Sequence, residues 1–248
     1  MNQTKIIAHR GSKGTHPENT LEAVKEAVRV GSDGIEIDVQ LSLDKELIVI
    51  HDETIDRTTN GKGSVQNLTL AELKQLDAGS WYAPEYSTCR IPTLQEIFYF
   101  LEAVDYKGLV NIELKTDKVS YLGIEEKVVA FVAEKKWPFT IEYSSFNYQT
   151  LIQLKTLDPG CKLALLFEKN GGNVAFLRPD IPVSMWHPKL SWFKSISLFR
   201  VPELPVRVWT VNKNTDLQFC FRKQVAGIIT DYPQKALEIR NKWQNEGE

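Results

Sequence analysis

Residues 6–28 read IIAHRGSKGTHPENTLEAVKEAV. The apolar run Ile6–His9 predicts a short strand, and the apolar residues that recur every three or four positions after the loop predict an amphipathic helix. Asn19 stands three residues before Glu22, which predicts a capping box at the start of that helix. The stretch therefore predicts one strand, one polar loop and one helix.

The same strand–helix unit recurs along the chain. Strand-like segments centre near residues 6, 35, 110, 140, 163, 182, 206 and 227, and a helix-like segment follows each of them. Parallel strands need helical crossovers and eight of them close a sheet, so the pattern predicts an α/β fold of the TIM (β/α)8 barrel type. The segment ELIVIHD (46–52) breaks the alternation, because no helix precedes it. We therefore expect one barrel domain over residues 1–248, with an insertion of about residues 42–91 after the second strand.

The composition restricts the class of protein. The chain has 248 residues and a net charge of −2, without the basic excess of a nucleic-acid-binding protein or a polybasic run for a membrane surface. Its apolar runs are too short to span a bilayer, so no stable membrane anchor is expected. Cys89, Cys161 and Cys220 show no metal or redox spacing, which predicts reduced thiols. No signal-like segment precedes the first strand, and we expect a cytoplasmic protein.

Acidic side chains stand at the carboxyl ends of predicted strands, where TIM barrels carry their reacting groups. Glu36 and Asp38 are two residues apart, so both point to the same face of one strand. Two carboxylates inside a barrel repel each other, and a hard cation such as Mg²⁺ or Ca²⁺ removes that repulsion. Glu113 ends another strand, with Lys115 on the same face. The pattern favours a metal site beside a phosphate-binding lysine over a set of ordinary salt bridges.

Two of the four histidines also stand where a strand ends. His9 ends the first strand, and His51 ends the segment ELIVIHD. Imidazoles on either side of a phosphorus atom serve as general base and general acid near neutral pH. The next residue, Asp52, either orients an imidazole or caps the following turn.

Together these residues resemble the glycerophosphodiester phosphodiesterase family. Each of its short motifs is weak evidence alone, but here seven stand in order over almost the whole chain. The matching segments are His9-Arg10-Gly11, Pro17-Glu18-Asn19-Thr20, Glu36-Ile37-Asp38, His51-Asp52, Glu113-Leu114-Lys115, Trp209-Thr210-Val211-Asn212 and Thr230-Asp231-Tyr232-Pro233. One departure is mild: His16 precedes Pro17 where the family usually has a small residue, which puts only the pocket rim in doubt.

The resemblance implies a TIM barrel enzyme that depends on a metal and hydrolyses glycerophosphodiesters to sn-glycerol 3-phosphate and an alcohol. It implies one divalent cation on Glu36, Asp38 and Glu113. Three carboxylates serve Mg²⁺ and Ca²⁺ alike, so the choice between them stays open. The implied partner is a small-molecule glycerophosphodiester, and the alcohol half is undefined.

The resemblance also implies roles for the basic residues. His9 and His51 would be the acid–base pair, and Arg10 and Lys115 would hold the phosphate. Gly11 would let the chain turn sharply without a side chain that blocks the substrate. Which histidine is the acid stays open, as does whether water attacks directly or a glycerol hydroxyl first forms a cyclic phosphate.

Further residues belong to the expected pocket or its frame. Glu18 is expected to pair with Arg10, and Asn19 to serve as a helix cap or a pocket residue. Trp209 and Phe146 are expected to pack against the glycerol carbons, with burial in the core as the alternative.

Four positions are expected to be structural. Arg57 belongs to the insertion, and His187 is expected in the frame of the barrel or at its rim. Thr230 and Asp231 are expected to tie the last strand to the first rather than take part in chemistry.

Two other functions stay open on the sequence. Related barrels act on choline-bearing sphingolipids or lysolipids and release a cyclic phosphate, although such enzymes are typically secreted and carry disulfides. A barrel that has lost catalysis would serve only for binding. Such a barrel loses an imidazole or a carboxylate first, and none is missing here.

Overall fold

The computed structural model describes residues 3–168, 182–196 and 204–245, and its architecture is a nearly closed parallel barrel. The strands in these ranges are β1 (Lys5–His9), β2 (Gly34–Leu41), β3 (Leu47–Val49), β4 (Leu109–Leu114), β5 (Thr140–Ser145), β6 (Leu163–Phe167), β7 (Met185–Pro188), β8 (Arg207–Val208) and β9 (Gly227–Thr230). The order around the sheet is β7–β6–β5–β4–β2–β1–β9–β8. Parallel bridges from Trp186 to Val206 and from Lys189 to Trp209 bring the two ends together. The predicted TIM barrel is confirmed.

β3 lies outside the barrel order. It pairs antiparallel with β2, from Val39 opposite Val49 to Leu41 opposite Leu47. Antiparallel neighbours need only a tight connection, which explains why no helix separates them in the sequence. The strand predicted at 180–186 is placed later, at β7, and residues 180 and 181 lie outside the described residues.

Helices follow the barrel strands other than β6, as the alternation predicts. The helix expected after β6 falls on residues 169–181, which lie outside the described residues. The described helices are α1 (Leu21–Arg29), α2 (Leu70–Leu73), α3 (Leu94–Ala103), α4 (Ile124–Ala133), α5 (Tyr148–Leu157), α6 (Leu190–Ile196), α7 (Asn214–Arg222) and α8 (Pro233–Asn245). The helix predicted near 191–200 corresponds to α6, and residues 197–200 lie outside the described residues. Within the described ranges, no helix has the length and apolar character needed to cross a bilayer.

The helices α1, α2 and α3 each begin after a threonine N-cap. Thr69 and Thr93 form complete capping boxes at α2 and α3, with Thr-x-x-Glu spacing. The predicted cap of α1 is wrong, because Thr20 is the N-cap and its hydroxyl accepts from the Ala23 N–H at 3.3 Å. Asn19 instead lies in the left-handed region at φ +55°, and its side chain reaches into the barrel.

The insertion carries its own small core. Apolar side chains from β3 and the loops after it pack together, away from the main cluster between strands and helices. The buried members of this cluster are Ile48, Ile50, Ile55, Val65, Leu73, Ala78 and Ile91. Burial of this apolar surface holds the insertion against the barrel independently of its polar contacts.

A buried ionic network fills the barrel below the mouth. Arg207 is only 2% exposed, and its Nη1 donates to Glu142 Oε2 at 3.0 Å. The same nitrogen lies 3.2 Å from His187 Nε2. Gly227 leaves room for the arginine, since a Cβ there would lie 2.9 Å from Arg207 Cγ. His187 is therefore inside the barrel and not at its rim.

Candidate active site

The loop after β1 turns sharply beside the barrel mouth. Arg10 and Gly11 both have positive φ, +54° and +75°. A Cβ on Gly11 would lie 2.6 Å from the carbonyl carbon of Ala23 in α1. Glycine is therefore required for the turn and for close packing on the helix, rather than to clear space for a substrate. The turn directs the Arg10 N–H to Glu36 Oε2, at 2.9 Å.

Three carboxylates meet at the carboxyl ends of β2 and β4. Glu36, Asp38 and Glu113 each contribute an oxygen, and these oxygens lie within 4.8 Å of one another. Parallel pairing places Asp38 beside Glu113, and all three residues are buried. The structure thus brings Glu113 to Glu36 and Asp38, which stand 77 and 75 positions before it in the sequence.

The electrostatics of this cluster favour a cation. Burial, followed by repulsion from the neighbouring carboxylates, raises the pKa of Glu36 well above its usual value and that of Glu113 to about 7. Burial acts the same way on Asp38, but the charges of Arg10, His51 and Lys115 outweigh it and lower the pKa of Asp38 to about 2. Glu36 Oε1 and Asp38 Oδ1 have no hydrogen-bond partner among the described residues. Buried, unpaired oxygens in an all-oxygen set fit a hard divalent cation.

Both histidines at strand ends are held by an aspartate. His9 Nδ1 lies 2.6 Å from Asp231 Oδ1, and His51 Nδ1 lies 2.6 Å from Asp52 Oδ1. An ionised carboxylate only accepts, so each Nδ1 carries the hydrogen and each Nε2 is left as an acceptor. Burial, then the charge of Arg10, lowers the pKa of His9 to about 4. Burial likewise lowers the pKa of His51, so burial favours the neutral form of both imidazoles.

Two cations flank the carboxylates. Arg10 Nη1 donates to Glu18 Oε1 at 2.6 Å, which is the predicted pairing, and its Nε lies 3.2 Å from Asp38. Lys115 Nζ donates to Glu113 Oε1 at 2.9 Å and lies 3.9 Å from Asp38. Both cations therefore border the acidic cluster, where a phosphate would add further negative charge.

A cavity of about 480 Å³ opens over these groups. Its apolar wall includes Phe146 and Trp209, whose rings meet edge to face with centroids 5.6 Å apart. The lining residues are His9, Arg10, Glu36, His51, Asn111, Glu113, Lys115, Asp117, Lys118, Ser144, Phe146, Leu166, Glu168, Trp209 and Ile229. Both predicted aromatic residues thus face the cavity. Glu18 and Asp38 are not among its lining residues and contact the lining residue Arg10 from behind.

Comparison with known proteins identifies the family. The model of the glycerophosphoryl diester phosphodiesterase family matches residues 9–235, from the first histidine to the last helix. The chain belongs to this family. Two curated glycerophosphodiester phosphodiesterases are similar over nearly their full length. The one from Caldanaerobacter subterraneus is 39% identical (97% of this chain and 99% of the relative), and the one from Bacillus altitudinis is 37% identical (96% and 98%).

A solved structure agrees with this assignment. The Oleispira antarctica phosphodiesterase, determined with the product sn-glycerol 3-phosphate, aligns with a TM-score of 0.85 and 32% identity. The alignment covers 96% of this chain and 97% of that one. The chain therefore shares its fold and its enzyme class with these relatives.

Several residues of this phosphodiesterase have contacts that sequence reasoning missed. Asp231 ties the last strand to the first, as expected, but it does so through a site residue, because its carboxylate holds His9 and also accepts from Asn212 Nδ2 at 2.7 Å. Asn19 Nδ2 donates to Asp38 Oδ2 at 2.8 Å, so it supports the acidic cluster. Arg57 was expected to be structural, yet it contacts Glu18 behind the site. In the sequence, the one sign of these contacts is that the polar residues stand inside or beside motifs of the family.

Proposed function

We propose that this phosphodiesterase hydrolyses glycerophosphodiesters to sn-glycerol 3-phosphate and an alcohol, with a divalent cation and two histidines. One observation carries the proposal: two imidazoles, each held through Nδ1 by an aspartate, line the same cavity as Glu36 and Glu113, which belong to a buried cluster of three carboxylates. The product seen in the Oleispira phosphodiesterase supports the choice of products.

Glu36, Asp38 and Glu113 would hold the cation. Their oxygen-only ligand set suits Mg²⁺ or Ca²⁺. A bound divalent ion neutralises charge on the phosphate and polarises its phosphorus–oxygen bonds. The unpaired Glu36 and Asp38 oxygens and the raised pKa values of Glu36 and Glu113 support this assignment, because both features are unfavourable without a positive charge in the cluster.

The basic residues position the phosphate and move protons. Arg10 and Lys115 would donate hydrogen bonds to its oxygens, which holds the phosphorus between the two imidazoles. One histidine would take a proton from the attacking hydroxyl at its unprotonated Nε2. The other would enter the step with a proton on Nε2 and give it to the departing alcohol, and proton exchange with solvent would reset the pair. The aspartates keep each imidazole in the tautomer and orientation that this transfer needs.

The cavity wall supports the glycerol half. Phe146 and Trp209 present ring edges and faces to the space above the carboxylates. Such apolar surface suits the carbon chain of glycerol. Three charged residues, Asp117, Lys118 and Glu168, also line the cavity. The alcohol half is not selected by these contacts alone.

The test is an assay with added Mg²⁺ or Ca²⁺ against a panel of glycerophosphodiesters, coupled to detection of sn-glycerol 3-phosphate. We expect turnover that His9→Ala and His51→Ala each lower by about 10²–10⁴-fold. His16→Ala is the matched control, because His16 is partly exposed and lies outside the cavity lining. Turnover that survives both changes would contradict the acid–base roles. Phosphorus NMR that shows a persistent cyclic phosphate without sn-glycerol 3-phosphate would contradict the proposed reaction.

A further inference from the structure

Arg57, from the insertion, binds two carboxylates at once. Its Nη1 and Nη2 donate to Glu18 Oε2 at 2.9 Å and Oε1 at 2.8 Å. Its Nε and Nη2 donate to Asp52 Oδ2 at 2.7 Å and Oδ1 at 3.1 Å. Both contacts are bidentate, which uses the planar, fork-like geometry that only a guanidinium offers.

Each of these carboxylates also holds a residue of the candidate active site. Glu18 Oε1 accepts from Arg10 at 2.6 Å, and Asp52 Oδ1 receives His51 Nδ1 at the same distance. A continuous chain of charged hydrogen bonds therefore runs from Arg10 to His51 through one guanidinium. Among the described residues, this chain links the two site residues without passing through the carboxylate cluster.

The surroundings of Arg57 argue against a merely structural role. Its side chain is 44% exposed, and its guanidinium lies over the ring of Trp81, 6.0 Å from the ring centroid. The insertion has a separate apolar core of seven buried residues that does not include it. The partner Glu18 is 2% exposed, and a buried carboxylate must be neutralised where it stands. Arg10 and Arg57 share that task through hydrogen bonds. Lys13 adds its charge at 3.8 Å from Glu18 Oε2.

We propose that Arg57 is a positioning residue, which sets the guanidinium of Arg10 and the imidazole of His51 in one fixed relative arrangement. The reaction it serves rests on the proposed function, but the arrangement itself does not. The insertion thereby takes part in the chemistry of the barrel, since it supplies both Asp52 with His51 and the arginine that connects them to the loop after β1. A lysine at this position has one compact ammonium and cannot bind two carboxylates in bidentate fashion.

Kinetics on Arg57→Ala, Arg57→Lys and the control Arg90→Ala provide the first measurement. Arg90 is an exposed arginine of the same insertion that donates to the backbone carbonyls of Ser87 and Cys89. We expect both Arg57 variants to lose on the order of 10–100-fold in kcat/KM while Arg90→Ala stays near wild type. Guanidinium ion, at a concentration too low to unfold the protein, should restore part of the activity of Arg57→Ala. Activity of Arg57→Lys equal to wild type would overturn the proposal.

The tautomer of His51 provides a second measurement that needs no turnover. In protein labelled with ¹⁵N-histidine, the wild-type signal of His51 should show a hydrogen on Nδ1. Arg57→Ala should mix the tautomers at His51 and leave buried His187 unchanged. An unchanged His51 signal in this variant would overturn the proposal even if its activity fell. A shifted His51 signal in a protein that forms no sn-glycerol 3-phosphate would contradict the proposed function and support the positioning role.

Discussion

Asp231 accepts the Nδ1 hydrogen of His9 at 2.6 Å, although 222 positions separate the two residues. The contact joins the end of the first barrel strand to the end of the last, because β1 pairs directly with β9. Asn212 fixes the other side of the carboxylate by donating to Asp231 Oδ2 and accepting from the Asp231 N–H. Barrel closure therefore creates the oriented imidazole.

Replacing this aspartate should impair catalysis through His9. Asp231→Asn keeps the shape but can donate to Nδ1, which favours the wrong tautomer of the imidazole. We expect kcat to fall by about 10²-fold, at the low end of the range for loss of an acid–base group. Asp105→Asn is the control, since Asp105 is exposed and pairs only with Lys107 among the contacts described. A variant with unchanged kcat would show that His9 does not depend on this carboxylate.

Cation binding should stabilise the folded protein. A divalent ion that binds the three carboxylates of the folded protein stabilises the folded state over the unfolded chain, so Ca²⁺ or Mg²⁺ should raise the melting temperature. At a free cation concentration of about 100 times Kd, linkage gives about 2.7 kcal/mol. Glu36→Gln should abolish this response, and in chelator it should melt no lower than wild type because repulsion is relieved.

The control for the cation experiment is Glu102→Gln. Glu102 is a surface carboxylate that pairs with Lys135 and does not belong to the buried cluster. It should keep the full wild-type shift in differential scanning fluorimetry. An equal shift in Glu36→Gln and wild type would place the cation elsewhere.

Two glycines separate backbone strain from steric overlap. Gly11 and Gly31 have nearly the same φ, +75° and +73°, but only Gly11 has atoms within 4 Å of the added Cβ position. Gly31→Ala should cost about 1–2 kcal/mol for the left-handed backbone alone. Gly11→Ala should cost a further 1–3 kcal/mol or so from overlap with Ala23. Urea denaturation of both variants measures the difference, and equal losses would contradict the close packing of the loop on α1.

Buried His187 should make stability depend on pH. Burial, reinforced by the charge of Arg207, lowers its pKa well below the usual value. Below about pH 6.5 the unfolded chain binds a proton that the folded imidazole rejects, so the free energy of unfolding falls as pH falls. The slope from this one group reaches about 1.4 kcal/mol per pH unit.

Denaturation of wild type and His187→Gln between pH 7.5 and about 5 measures this contribution. The free energy of unfolding of the variant should depend less steeply on pH, by an amount that corresponds to the uptake of up to one proton. His16→Gln should change the slope less, because His16 is only partly buried. Parallel curves for wild type and His187→Gln would show that the interior imidazole is protonated in the folded protein.

Local sequence patterns determined the barrel and the identity of its chemical groups. Alternation along a strand is a local property, so Glu36 and Asp38 could be placed on one face from the sequence, and each strand end marked a candidate residue. The Thr-x-x-Glu boxes at Thr69 and Thr93 were predictable for the same reason. The Asn19 cap failed because its side chain donates to Asp38 on the neighbouring strand β2, a competing contact that no local pattern contains.

Tertiary structure alone decided which groups work together. The bond from His9 to Asp231 requires the sheet to close, and the contacts of Arg57 require the insertion to fold back over the loop after β1. These distances depend on the packing of segments far apart in the chain, where burial and charge pairing select one arrangement among many. The sequence by itself therefore specified the parts of a phosphodiesterase site, whereas folding set the orientation of its imidazoles and the charge state of its carboxylates.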